Sequence, residues 1–142
     1  MKMEAIMKNK IKVVGAILEN YNGEILCTLR NKDSIFGNLW EFPGGKIENN
    51  ETPQQSLKRE ILEELNIKIG SSISYMKVEK EYDDFIIELE CFKCEILNDL
   101  DIISMVHDKV IWLKRENLLS LNWIPTDISI VEKLSEENVY NK

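Results

Sequence analysis

Residues 11–18 are apolar and β-branched for the most part, a pattern that predicts a buried strand. Tyr21-Asn22-Gly23 follows, and Asn-Gly between two apolar runs predicts a hairpin turn into a returning strand at 24–30. Residues 31–39 read as loop. Residues 40–43 read as a short extended piece, because Phe42 precedes a proline. Gly44-Gly45 reads as a flexible turn.

The clearest helix opens at Thr52. Threonine is a good N-cap, Pro53 suits the first helical position, and Gln55 completes a capping box. Leu57, Ile61 and Leu65 recur every four residues as one apolar stripe, and Asn66 can end the helix in a left-handed conformation. Strands are predicted at 72–80 and 85–97 around Tyr82-Asp83-Asp84, with a shorter one at 110–113 and a short helix at 115–119. Ile128, Val131 and Leu134 mark a final amphipathic helix opened by Thr126 or Asp127. Strands and helices that do not strictly alternate predict an α/β (α+β) architecture, helices flanking a mixed sheet. No linker, repeat or low-complexity tract interrupts the pattern, so residues 1–142 read as a single domain.

Composition narrows the function. A 44% hydrophobic and 30% charged chain is that of a folded globular protein, which excludes global disorder. Its 18 basic against 25 acidic residues leave a net charge of −7, the wrong sign for a duplex nucleic-acid binder. An anionic small-molecule substrate would then need a metal ion to neutralise it. No apolar run reaches the ~18–20 residues of a membrane span. The stretch 1–12 lacks the apolar block of a signal peptide. Cys27, Cys91 and Cys94 are odd in number, which favours a reducing, cytoplasmic setting.

The chemistry concentrates in residues 44–67. At about 100° per residue, Glu60, Glu63 and Glu64 fill the arc beside the apolar stripe. Like charges this close cost ~0.2–0.5 kcal/mol per pair, and the macrodipole disfavours anions in the C-terminal half of a helix. A divalent cation explains the placement, and an all-oxygen set suits Mg²⁺ or Mn²⁺. Read alone, Glu-x-x-Glu-Glu is a solvated acidic face balanced by Lys58 and Arg59. The upstream residues favour the cation: Gly44-Gly45 allows close backbone approach, Glu51 suits a helix N-terminus, and Arg59 offers a fork for a carboxylate.

This segment resembles the signature of the Nudix hydrolases: Gly, five residues, Glu, seven residues, Arg-Glu, apolar, any, Glu-Glu, any, Gly, apolar. The chain reads Gly45, five residues, Glu51, seven residues, Arg59-Glu60-Ile61-Leu62-Glu63-Glu64-Leu65-Asn66-Ile67, departing only at Asn66. The resemblance implies an α/β/α sandwich with a mixed central sheet and hydrolysis of a nucleoside diphosphate linked to a further group. It implies Mg²⁺ held by Glu60, Glu63, Glu64 and the Gly44 carbonyl, with Glu51 and Arg59 bracing loop and helix. Glu60 is then a candidate base or an orienter of the attacking water.

Two further stretches, 39–48 (Leu-Trp-Glu-Phe-Pro-Gly-Gly-Lys-Ile-Glu) and 123–127 (Trp-Ile-Pro-Thr-Asp), resemble the MutT-type branch, which cleaves nucleoside triphosphates to monophosphate and pyrophosphate. By that resemblance Asp127 reads the base edge, Phe42 lines the base pocket and Arg30 reaches the nucleotide. Trp40, Trp112 and Trp123 read as core or as base-stacking residues, and Trp40 and Trp123, next to the pocket elements, are the better stacking candidates. Helix capping is the alternative for Asp127. As a carboxylate acceptor it suits an amino-bearing edge, which leaves oxidised guanine and cytosine nucleotides both open. Related enzymes place a glutamate just before the strand near Val110. Here the stretch is Met105-Val106-His107-Asp108, so Asp108 or His107 substitutes or the role is absent. As an isolated loop histidine, His107 is expected at the surface. Cys91 and Cys94, three apart on a strand, face opposite sides and read as free thiols. Tyr82 resembles the tyrosine of dinucleoside-polyphosphate Nudix enzymes, an alternative substrate class. A non-catalytic nucleotide-binding module is the other alternative.

Overall fold

A computed structural model describes residues 8–98 and 106–137. The chain before residue 8 and Met105 of the late loop, both of which carried expectations, lie outside the described residues. The strands are β1 (Asn9–Leu18), β2 (Glu24–Arg30), β3 (Trp40–Glu41), β4 (Gly44–Lys46), β5 (Lys68–Glu81), β6 (Phe85–Asn98) and β7 (His107–Lys114); the α-helices are α1 (Pro53–Leu65) and α2 (Ile128–Glu137). Short 3-10 turns occupy Arg115–Ser120 and Pro125–Asp127.

The strands form a four-stranded sheet in the order β4-β1-β6-β5 and a three-stranded sheet in the order β3-β2-β7. The first is mixed, because β1 runs parallel to β6 and antiparallel to β4. Period-2 alternation divides the core in two. Val14, Ala16 and Leu18 of β1 and Phe92 of β6 pack with Leu57, Ile61 and Leu65 of α1. Ile17, Leu89 and Cys91 pack with Ile130, Val131 and Leu134 of α2. Each helix therefore covers an opposite face, as the mixed-sheet expectation requires.

Two expectations are corrected. The Asn-Gly turn forms, with Gly23 at φ 77 and the Asn20 side chain accepting from the Asn22 and Glu24 N–H groups. The flanking strands nevertheless diverge into different sheets, joined at the turn by the Glu19–Ile25 bridge and the Asn20 N–H donating to Glu24 O. Gly44-Gly45 is a strand edge rather than a turn: Gly44 pairs with Gly15 and Gly45 with Val14. The glycines serve close approach here, since a Cβ at Gly44 would collide with the Val14 carbonyl.

Helix α1 begins and ends as its sequence signals. Thr52 accepts from Gln55 N–H at 3.1 Å while the Gln55 side chain accepts from Thr52 N–H at 2.9 Å. Asn66 closes the helix at φ 58, ψ 34, its N–H donating to Leu62 O. Asn66→Gly should therefore be neutral or stabilising by up to ~1 kcal/mol. Asn66→Val should destabilise by more, since a β-branched residue is strained at positive φ. Thermal melts of the three proteins check this, and equal midpoints would contradict it.

Candidate active site

The site is built where β4 runs beside the C-terminal half of α1. A Cβ on Gly45 would lie 2.5 Å from the Glu60 carboxylate, so glycine lets strand and helix side chain meet. Arg59 organises the helix face below. Its Nε and Nη2 donate to the two oxygens of Glu51 at 2.8 and 2.9 Å, a bidentate fork across the segment before α1. Its Nη1 donates to Glu60 at 2.8 Å and to Glu63 at 3.4 Å. The Arg59 hydrogen bonds hold the Glu51 carboxyl down at about 2, and Glu51 above all pushes the guanidinium further up. So the expected brace exists as geometry, and the fork takes Glu51 rather than Glu60.

The three carboxylates of α1 differ sharply in environment. Glu63 is exposed. Glu60 leans on Arg59. Glu64 is half-buried, and its Oε2 has no hydrogen-bond partner among the described residues. Burial, with Glu60, Glu41 and Glu63 nearby, pushes the Glu64 carboxyl up to about 8, and the Gly44 backbone N–H offsets this in part. Among the described residues no three acidic, histidine or cysteine side chains stand at the spacing of an assembled metal site. Glu60 and Glu63 are turned to Arg59 instead. An orphaned buried carboxylate oxygen beside two more carboxylates is what a hard cation would satisfy, so the donor set fits a divalent metal.

Glu64 also lines a cavity of about 620 Å³, within the range of small-molecule sites. Its walls include Gly44, Gly45, Glu41, Phe42, Arg30 and Asp127, so most of the expected substrate residues open onto one space. Asp127, immediately before α2, is 2% exposed, and its carboxylate is bonded to Phe42 and Thr126 rather than to the N–H groups of the helix. Its Oδ2 accepts from Phe42 N–H at 2.9 Å and its Oδ1 accepts from Thr126 Oγ1–H at 2.9 Å. Burial pushes its carboxyl up to about 7 against the lowering effect of those two donors. Arg30 reaches the cavity but is already engaged: Nε donates to Ile35 O at 2.8 Å and Nη1 to Glu41 at 2.9 Å.

Other expectations need correction. Trp123 does not line the cavity. It stands behind Phe42, ring centroids 4.9 Å apart, and its Nε1–H donates to Leu118 O, so it supports the wall from the core. Trp40 packs partly buried against the same core and is likewise absent from the lining. His107 is not a surface residue: its side chain is 3% exposed and its Nε2 lies 2.9 Å from Glu41 Oε2. Asp108 accepts from Lys32 N–H and does not line the cavity, whereas Val106 does. Cys91 and Cys94 belong to opposite core faces, and both are free.

Glu41 escaped the sequence reading. It joins Arg30 to His107 inside the cavity wall, and its charge bears on both Glu64 and Asp127. The one available signal was an acidic residue set within the apolar run Leu39-Trp40-Glu41-Phe42.

A model of the NUDIX domain matches residues 13–133. The CTP pyrophosphohydrolase of Escherichia coli (strain K12) is 33% identical over 122 residues, covering 86% of this chain and 89% of that protein. The 8-oxo-dGTP diphosphatase of the same strain is 41% identical over 75 residues, covering 53% of this chain and 58% of that protein's own length. The solution structure of a DNA mismatch repair protein MutT (family Nudix hydrolase) from methicillin-resistant Staphylococcus aureus 252 is 39% identical. It aligns with a TM-score of 0.71 over 92% of this chain and 99% of that one. Among the described residues no helix is long and apolar enough to cross a membrane.

Proposed function

The chain belongs to the NUDIX domain family, and from that premise we propose that it hydrolyses nucleoside triphosphates to monophosphate and pyrophosphate with the help of a divalent cation. The observation that carries this reading is Glu64. Glu64, with its unpartnered buried oxygen, and Asp127 both line one cavity, beside Gly44, Gly45 and Phe42. A metal end and a base-reading end in one space of this size suit a nucleotide polyphosphate. The relatives named for CTP and 8-oxo-dGTP support the same substrate class.

Glu60, Glu63, Glu64 and the Gly44 carbonyl would hold the cation, Mg²⁺ or Mn²⁺. When bound, it would neutralise phosphate charge and make water a better nucleophile. The chain's own residues do the rest. Arg59 fixes Glu51 and keeps the helix face registered against the 47–52 segment. Releasing Glu60 from Arg59 frees a carboxylate to orient the attacking water or take its proton. Asp127 offers oxygens to an amino-bearing base edge, and Phe42 closes the pocket beside it. The three free cysteines fit a reducing, cytoplasmic setting.

The test is product analysis over a panel of normal and 8-oxo nucleotides. One pyrophosphate should appear per monophosphate, and chelation of the cation should stop the reaction. Release of orthophosphate instead would reject the cleavage position. Binding without turnover would make the chain a nucleotide-binding module.

A further inference from the structure

Two loops from different sheets meet along the wall of the cavity. Phe36 comes from the 31–39 connection between β2 and β3, and Tyr82 from the turn between β5 and β6. Their ring centroids lie 5.7 Å apart, and Tyr82 continues onto Phe85 at 5.1 Å; all three rings line the cavity. Phe36 stands at φ 59, in the left-handed region where glycine and asparagine are at ease and a bulky aromatic is an outlier. Its neighbour Asn38, at φ 64, is a residue suited to that region.

The strain is maintained by hydrogen bonds on either side. Gly37 N–H donates to Ser34 O at 3.0 Å, Leu39 N–H to Phe36 O at 3.3 Å, and Arg30 Nε–H to Ile35 O at 2.8 Å. Arg30 is held in turn by Glu41, and Glu41 by His107. Core packing does not account for this effort, because Phe36 remains 37% exposed. A strained aromatic held in place and left open to a cavity is placed for a ligand. Asp127 lines the same space, and its charge acts on the Tyr82 phenol, whose pKa is raised mainly by burial.

We propose that Phe36, backed by Tyr82, is the surface on which the substrate's base stacks, and that it is a specificity-determining residue of this enzyme. The proposal rests on the nucleotide reading given above. Stacking acts on the face of a base while Asp127 acts on its edge, so the two select independently. Purines, with the larger face, depend on Phe36 more than pyrimidines do.

Phe36→Asn removes the ring and suits the left-handed backbone; Phe36→Gly does the same by another route, and Phe36→Trp keeps a ring. KM for a purine nucleotide should rise roughly tenfold in the Asn and Gly variants, with a smaller change in kcat. Their melting temperatures should hold or rise as the strain is relieved. Phe36→Trp should return KM to near the wild-type value. Unchanged KM in the folded Asn and Gly variants overturns the proposal, as does a lower melting temperature with KM unmoved; wild-type turnover in the same assay keeps the nucleotide reading intact. If the wild type turns over no nucleotide, the cation-free affinities for a nucleoside monophosphate and for ribose 5-phosphate decide. A base-dependent difference that Phe36→Asn abolishes supports the stacking role, and no base-dependent difference overturns it.

Discussion

Glu64→Gln should lower turnover at least ~10²-fold at saturating Mg²⁺, since lost metal charge stabilisation raises the barrier by several kcal/mol. The same substitution should stabilise the cation-free protein at pH 8. Burial first, and then Glu60, Glu41 and Glu63, raise the Glu64 carboxyl from its ordinary 4.5 to about 8. Well below pH 4.5 it is protonated whether the chain is folded or not, and its ionisation does not weigh against folding. As pH climbs from there towards 8, the unfolded chain gives up the proton and the folded chain keeps it. Stability is therefore lost across that window. Glutamine has no proton to lose, so the gap between variant and wild type should open between pH 4.5 and 8. Each kcal/mol regained should appear as roughly 3–5 °C in Tm. Added Mg²⁺ should stabilise the wild type and leave the variant little changed, because a cation that binds only the folded state shifts the equilibrium by mass action. Glu63→Gln should cost less, because Glu63 is exposed and makes a 3.4 Å contact with Arg59. Near-wild-type turnover in Glu64→Gln would remove this residue from the site.

What the sequence made legible was local. The capping box at Thr52, the stripe of Leu57, Ile61 and Leu65, and the left-handed Asn66 all depend on residues within one or two turns of each other. The opposite facing of Cys91 and Cys94 follows from strand periodicity alone. The Glu51–Arg59 fork, eight residues apart, could be anticipated as one element of a spaced signature. What stayed hidden depended on which distant segments meet. His107 was expected at the surface because nothing near it in sequence could bury it; its partner, Glu41, is 66 residues away. Trp123 was expected at the pocket because it neighbours Asp127 in sequence, yet the backbone bridge between Trp40 and Trp123 seats it in the core behind Phe42. Gly44-Gly45 read as a turn because glycine allows one; its pairing with β1 becomes visible only once β1 is known to lie alongside. Residues 31–39 read as featureless loop, although positive φ at Phe36 and Asn38 gives them a defined shape.

Asp127→Asn should reorder the enzyme's preference among bases while leaving its cation dependence as before. The substitution is mild for the fold. Phe42 N–H still finds a carbonyl oxygen, and Thr126 Oγ1, now a donor to Asp127, can accept from the new amide instead. Helix capping offers no rival account of any effect, since the carboxylate bonds to Phe42, 85 residues away, and to the adjacent Thr126. The change falls instead on what the cavity presents. A carboxylate accepts only, whereas an amide accepts at one atom and donates at the other. A mispaired buried polar group costs ~1–3 kcal/mol, so kcat/KM for the best nucleotide should fall roughly 5- to 150-fold. Nucleotides differing only in the base should change rank. Stability gives an independent reading. Burial raises the Asp127 carboxyl to about 7, so its contribution is complete below about 3.8 and is lost as pH rises through 7. Asp127→Asn should flatten that part of the pH–stability curve. A uniform drop in kcat/KM across all bases, alongside the flattened curve, would mean that Asp127 supports Phe42 without touching the base.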